Sequence, residues 1–335
     1  MFKGLTREKV THLLQKNAIL IGFFIIVIFL AIFTKSFFTV RNLFLILKQV
    51  SCIGITTVAM AMLIIMGCID LSVGSVMAVS GVFGALFVSN ANPEWLKFGS
   101  SFGVDPAVIA MICGILMGTL FGVFNGLIIS KGKIPPFIVT LGSLTIARGL
   151  AYILSQGMPV AKLLDSFNSI GSGFVKISED ANLQISNTVF FYIAVVILIS
   201  FIMRKRRFGR YIYAVGGNDV AALAAGVDVD AVKFKTYVLS GTLVGLAGIL
   251  SVSRLNSAPP AFGNAYELDA IAGCIIGGIS FNGGIGSVWS SVIGALIIVI
   301  IQQGMDMLDV QTFYQQIVKG VIIISAVLID RNRRI

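Results

Sequence analysis

Apolar runs about as long as a bilayer is thick recur along this chain, and they constrain its fold more than anything else. A helix needs about 20 apolar residues to cross the hydrocarbon core. Such runs are expected as spans near 18–33, 43–66, 76–89, 107–129, 137–155, 188–203, 236–253, 270–281, 288–304 and 314–329. Only 12% of the residues are charged, against roughly 25% in a soluble domain. Lipid leaves unpaired backbone groups unsatisfied, so segments that cross it singly must be helical. The expectation is an all-α, polytopic membrane protein of about ten transmembrane helices, one transmembrane body over 1–335 with no inserted soluble domain. Two of the runs, 76–89 and 270–281, are too short to cross upright. Each adjoins a glycine-rich polar connection (67–75 and 280–287), the pattern of broken or re-entrant helices.

Basic residues orient the body. With ten crossings and both termini in the cytoplasm, sixteen Lys and Arg residues fall inside, among them Lys3, Arg7, Lys9, Lys16, Lys131 and Lys133. Six fall outside: Lys35, Arg41, Lys97, Lys162, Lys176 and Arg254. This is the positive-inside bias. It also accounts for the net charge of +10 through contact with anionic membrane lipid, without nucleic acid. The apolar run at 18–33 lacks a small-residue cleavage site and reads as an uncleaved first span.

One inner loop, 204–235, stands out. After the basic run Arg204–Arg207, Asn218 is a good helix N-cap and Asp219 places negative charge in the first turn. Ala221, Ala222, Ala224 and Ala225 favour helix, and Gly226 suits its C-terminal stop. A two-turn helix from Asn218 to Gly226 is expected. One so short is marginal alone, which implies a partner holding it.

Small residues mark close packing. Gly114, Gly118, Gly122 and Gly126 line one helix face, and Gly241 and Gly245 do the same further on. They suit a tight contact within the chain, or else a dimer seam or moving interface. A weak internal echo links Ile64–Gly67, Gly74–Val76 and Gly84–Leu86 with Ile275–Gly278, Gly286–Val288 and Gly294–Leu296, as in transporters built from two related halves. Cys52, Cys68, Cys113 and Cys274 lie in or beside apolar segments and read as small core residues. His12 is the only histidine, so no histidine metal site is expected. There is no phosphate-binding GxxxxGK[ST], no HExxH, no GxSxG and no paired intramembrane carboxylate. The run Gly283–Ser287 reads as a flexible inner turn. The chain therefore carries no catalytic set, no metal and no cofactor of its own.

Few ionisable residues sit at membrane depth. Asp70 either caps the following helix or anchors a re-entrant bend or gate. Arg148 lies deeper and either meets a polar solute or pairs with backbone carbonyls. Lys319 is expected to snorkel outward.

Five segments occur in order: Gly67–Ser75 (GCIDLSVGS), Pro135–Gly142 (PPFIVTLG), Gly209–Asn218 (GRYIYAVGGN), Tyr266–Ala272 (YELDAIA) and Gly277–Gly284 (GGISFNGG). With them the chain closely resembles, over essentially its full length, the permease subunits of bacterial ABC importers for ribose, galactose, xylose and similar sugars. The resemblance implies a second permease copy or paralogue, a cytoplasmic ABC ATPase using ATP and Mg, and a periplasmic or lipid-anchored sugar-binding protein. It implies the bacterial inner membrane as the location. It also implies an ATPase-coupling helix at Asn218, Asp219, Ala221, Ala222 and Gly226, and alternating access as mechanism. Rival readings are a nucleoside or other small polar solute within the same family, a self-contained secondary carrier, and a membrane enzyme or scaffold. Asp70 is the only carboxylate that could serve ion coupling, which weighs against the carrier.

Overall fold

A computed structural model describes residues 27–32, 34, 37–101, 103–176 and 184–332. In chain order the elements are α1 (Val40–Ile65), α2 (Val73–Leu86), α3 (Pro93–Ser100), α4 (Pro106–Gly132), α5 (Pro136–Leu154), α6 (Asp165–Ser172), β1 (Phe174–Lys176), β2 (Gln184–Ser186), α7 (Asn187–Lys205), α8 (Arg207–Gly217), α9 (Asp219–Ala224), α10 (Val229–Leu255), α11 (Tyr266–Ile276), α12 (Val288–Met307) and α13 (Thr312–Asn332). The two strands pair antiparallel, Phe174 opposite Ser186. Every expected span from 43–66 onward coincides with a helix. The span expected at 18–33 lies outside the described residues except for 27–32, which are helical. Lys3, Arg7, Lys9, His12, Lys16, Lys35, Arg333 and Arg334 also lie outside them.

Six helices among the described residues, α1, α4, α5, α7, α10 and α12, are long and apolar enough to cross a bilayer. Their ends follow from sequence. Asp105 Oδ1 accepts from Ala107 N at 2.8 Å ahead of Pro106, and Asp228 Oδ1 accepts from Ala231 N at 2.9 Å. Each side chain satisfies an amide that the helix leaves open. Lys133 and Asn256 close α4 and α10 in the left-handed region (φ 54° and 53°).

The shorter helices sit inside the bundle. At 1.5 Å per residue, α2 spans about 21 Å and α11 about 17 Å, less than the hydrocarbon thickness of about 30 Å. All of α2 except Phe83 is buried, so it is apolar all round without facing lipid. Helices α1 and α10 form the centre with it, and their most apolar stretches are 67% buried, against 28% for α5 at the edge.

The glycine ladder works inside the chain, as an α4–α10 seam. An added Cβ at Gly118 would meet Gly241 O at 2.5 Å and Gly245 Cα at 2.6 Å. One at Gly122 would meet Tyr237 O at 2.5 Å, and one at Gly126 would meet Phe234 O at 3.0 Å. Gly245 lies against Gly114 and Ile115, and the Thr119 and Thr242 hydroxyls pair at 2.9 Å. The dimer-seam reading of these glycines is set aside by this contact, because the two stripes face each other.

Candidate functional site

Two polar features interrupt the apolar body: a junction at the end carrying α8 and α9, and a buried polar system along α2, α5 and α11. At the junction, α7 ends in Arg204 and Lys205, cations suited to a helix C-terminus. Arg206 is extended, lies 5.1 Å over the Phe201 ring and starts α8. Helix α8 buries Gly209, Ile212 and Val215, an inward face at helical spacing. Its last turn reaches the ends of two other elements. An added Cβ at Gly216 would overlap the Ile65 carbonyl and lie 2.8 Å from Gly284 N. Gly284 N donates to Ile65 O at 2.8 Å, and the Tyr213 hydroxyl donates to Gly286 O at 2.9 Å. Burial pushes the Tyr213 phenol above its ordinary range, so it stays a donor. The run 283–287 is therefore a packed wedge, not the flexible turn its glycines suggest.

Both helix breaks end at this junction, and both close in the same way. After α1, Gly67 (φ 78°) donates to Ile64 O and Cys68 N to Leu63 O, each at 2.9 Å. After α11, Gly278 (φ 94°) donates to Ile275 O and Ile279 N to Cys274 O, again at 2.9 Å. These paired bonds are Schellman closures, in which glycine takes the left-handed position. The faint sequence echo thus has a geometric counterpart.

From the junction projects α9. Asn218 Oδ1 accepts from Ala221 N at 2.9 Å, and the helix ends at Gly226 (φ 83°) with Val227 N on Ala222 O at 3.0 Å. Asp219 pairs with Lys233 on α10 at 3.6 Å. Asp230 pairs with Lys133, tying the α4–α5 connection to the start of α10. Ala222 is buried against its own chain and Ala221 is exposed. Ala222 packs inward, 5% exposed. The outward apolar groups are Val220 and Leu223, 73% and 63% exposed. The sequence reading passed over both, although two branched apolar residues at i and i+3 on a solvent-side helix were a visible signal. They border a cleft of about 280 Å³ that Lys133, Asp228 and Asp230 also line.

Inside the body, Asp70 is buried, and its Oδ1 accepts from Ser72 N at 2.8 Å and from Ser72 Oγ at 2.5 Å. Asn125 donates to Ser72 Oγ at 3.2 Å, and Ser143 bonds to Asn125 Oδ1. Ser72, not Asp70, is the residue before α2, and no side chain caps that helix. The capping expectation for Asp70 gives way to a local turn that joins α4 and α5 to the α1–α2 break. Tyr237 OH adds a bond to Ile69 O at 2.9 Å.

Arg148 on α5 donates to Pro260 O at 2.6 Å and to Phe262 O at 2.8 Å, and so holds the 256–265 connection. Lys319 does not snorkel. It turns inward to Asp269 Oδ2 at 2.9 Å, where Gln302 also donates at 3.0 Å. A carboxylate only 2% exposed requires that cation. All four cysteines are unpaired, three of them buried.

A multi-pass helical body with broken internal helices and an exposed knob tied to both breaks has the form of a transport permease. Over residues 42–327 the chain matches the family described as branched-chain amino acid transport system / permease component, and it belongs to that family. Among curated proteins it is 38% identical to the ribose import permease protein RbsC of Bacillus subtilis, covering 98% of this chain and 97% of that one. It is 33% identical to the L-arabinose ABC transporter permease protein AraH of Azospirillum brasilense, covering 98% and 91%. It is also 33% identical to the xylose transport system permease protein XylH of Haemophilus influenzae, covering 96% and 97%. No solved structure gives a significant match.

Proposed function

We propose that this chain is the membrane-embedded permease subunit of an ATP-binding cassette importer that brings a monosaccharide across the bacterial inner membrane. The observation that carries the reading is similarity over nearly the whole chain to permeases named for ribose, L-arabinose and xylose. The chain supplies the passage. A cytoplasmic ATPase supplies the power with ATP and Mg, a periplasmic or lipid-anchored binding protein delivers the sugar, and a second copy or paralogue completes the path. About ten crossings with both termini inside would put the 204–235 loop, and so α9, in the cytoplasm.

On this reading Val220 and Leu223 seat in a groove of the ATPase. Closure of the ATPase pair on ATP pushes α9, and α8 passes the displacement on through Gly216. That residue touches the end of α1 and the wedge between α11 and α12 at once. Both helix breaks then move together, which is the geometry alternating access needs. The test is reconstitution with the ATPase and a sugar-loaded binding protein. Sugar accumulation should require all components, and accumulation by the chain alone under an ion gradient would overturn the proposal.

A further inference from the structure

Arg148 lies about two-thirds of the way along α5 and spends only Nη1 on the Pro260 and Phe262 carbonyls. Its Nε and Nη2 donors have no partner among the described residues. Glu267, in the first turn of α11, lies within electrostatic reach. Among the described residues, no side chain donates to its carboxylate, which sits over the start of α2, where an added Cβ at Gly74 would come 2.6 Å from Oε2. The Phe262 and Tyr266 rings meet edge to face, with centroids 5.4 Å apart. Asn264 is exposed, and both charged residues are partly so.

Unspent donors, and a carboxylate bonded only to its own backbone amide among the described residues, are costly against hydrocarbon. They belong next to water or a polar solute. Their chemistry selects which solute: the carboxylate accepts hydroxyls, the guanidinium and amide donate, and aromatic faces cover a sugar's C–H surface. One cation beside one anion favours a ligand of no net charge, and the hydroxyl-accepting carboxylate with the aromatic pair suits a polyhydroxylated ring. We propose that Arg148, Glu267, Asn264 and the Phe262–Tyr266 pair form a contact station for a neutral polyhydroxylated ring in transit. The proposal rests on the sugar-importer reading and adds the residues that touch the solute.

The test compares Glu267→Gln with the parent in the complete reconstituted importer, using D-ribose, D-xylose and L-arabinose, then the monodeoxy analogues of the best-carried pentose. Variant-to-parent turnover ratios cancel the binding protein's own preferences. Turnover on that pentose should fall roughly tenfold or more, the worth of a hydrogen bond to a charged group. The loss should largely vanish for the analogue lacking the contacted hydroxyl. Equal losses on every analogue would mean that Glu267 only supports the fold or a seam with a second copy, and would overturn the station, as would no loss at all. If Glu267→Gln fails to assemble with the ATPase, Asn264→Ala, which removes the exposed amide donor, is read in the same way. A parent importer that carries neither a pentose nor a hexose would instead count against the sugar reading.

Discussion

The amide of Gly284 donates to the carbonyl of Ile65 at 2.8 Å, joining the end of α1 to the wedge between α11 and α12 across more than two hundred residues of chain. Gly216 lies against both partners, with no room for a side chain. A force on α8 therefore reaches two helix breaks through backbone contacts, which yield less than side chains do.

Gly216→Ala should disrupt this junction. Overpacking at a close contact costs about 1–3 kcal/mol, and here the obstacle is backbone on two sides. The expected result is a lower unfolding temperature in detergent and transport lost out of proportion to ATP hydrolysis. Gly217→Ala is the matched control, since nothing lies within 4 Å of its added Cβ, and it should behave like the parent.

Leu223→Asp and Val220→Asp should detach the ATPase and leave the body folded. Both side chains face outward and contribute little to the chain's own core. Placing a carboxylate in an apolar interface centre costs about 2 kcal/mol or more, so recovery of the ATPase in a pull-down should fall by more than tenfold while the detergent melting curve stays put. Gly226→Arg should act differently. Gly226 has φ 83°, so the change strains the stop of α9 and puts bulk beside the knob. ATP hydrolysis should persist while transport stops.

The α4–α10 seam should tolerate almost nothing larger than glycine. Gly118→Val would drive a branched side chain into Gly241 O and Gly245 Cα. Destabilisation of about 1–3 kcal/mol is expected, read as reduced yield of folded protein and a lower melting temperature. Gly320→Val, where the surroundings are open, should cost far less.

What the sequence made legible was local. Apolar run length located α1, α2, α4, α5, α7 and α10 to α13 but not α3, α6 or α8, and Asn218, Asp219 and Gly226 marked the ends of α9, because capping depends on residues within one turn. What it hid was pairing between distant segments. Nothing near Gly114–Gly126 says that Gly241 and Gly245 are their partners, and Gly283–Gly286 gives no local sign of packing against Gly216. The inward turn of Lys319 was hidden for the same reason, since its partner Asp269 is fifty residues away.

That last pair supports a prediction of its own. Asp269 is 2% exposed, and its Oδ2 receives Lys319 Nζ at 2.9 Å and Gln302 Nε2 at 3.0 Å, so one carboxylate ties α11 to both α12 and α13. Removing the Lys319 cation alone leaves the Asp269 carboxylate buried without compensation, which costs about 3–5 kcal/mol. Lys319→Met should be the worse single change, because Asp269 is the more deeply buried partner, whereas an unpaired Lys319, 24% exposed, can turn toward water. Asp269→Asn keeps the shape and one acceptor for Gln302, so its loss should be smaller. Asp269→Asn with Lys319→Met should recover much of the loss, since neither charge then remains to be desolvated. Thermal unfolding of the four proteins in one detergent gives the coupling energy directly. If the two single losses simply added in the double variant, the pair would not be acting as a unit.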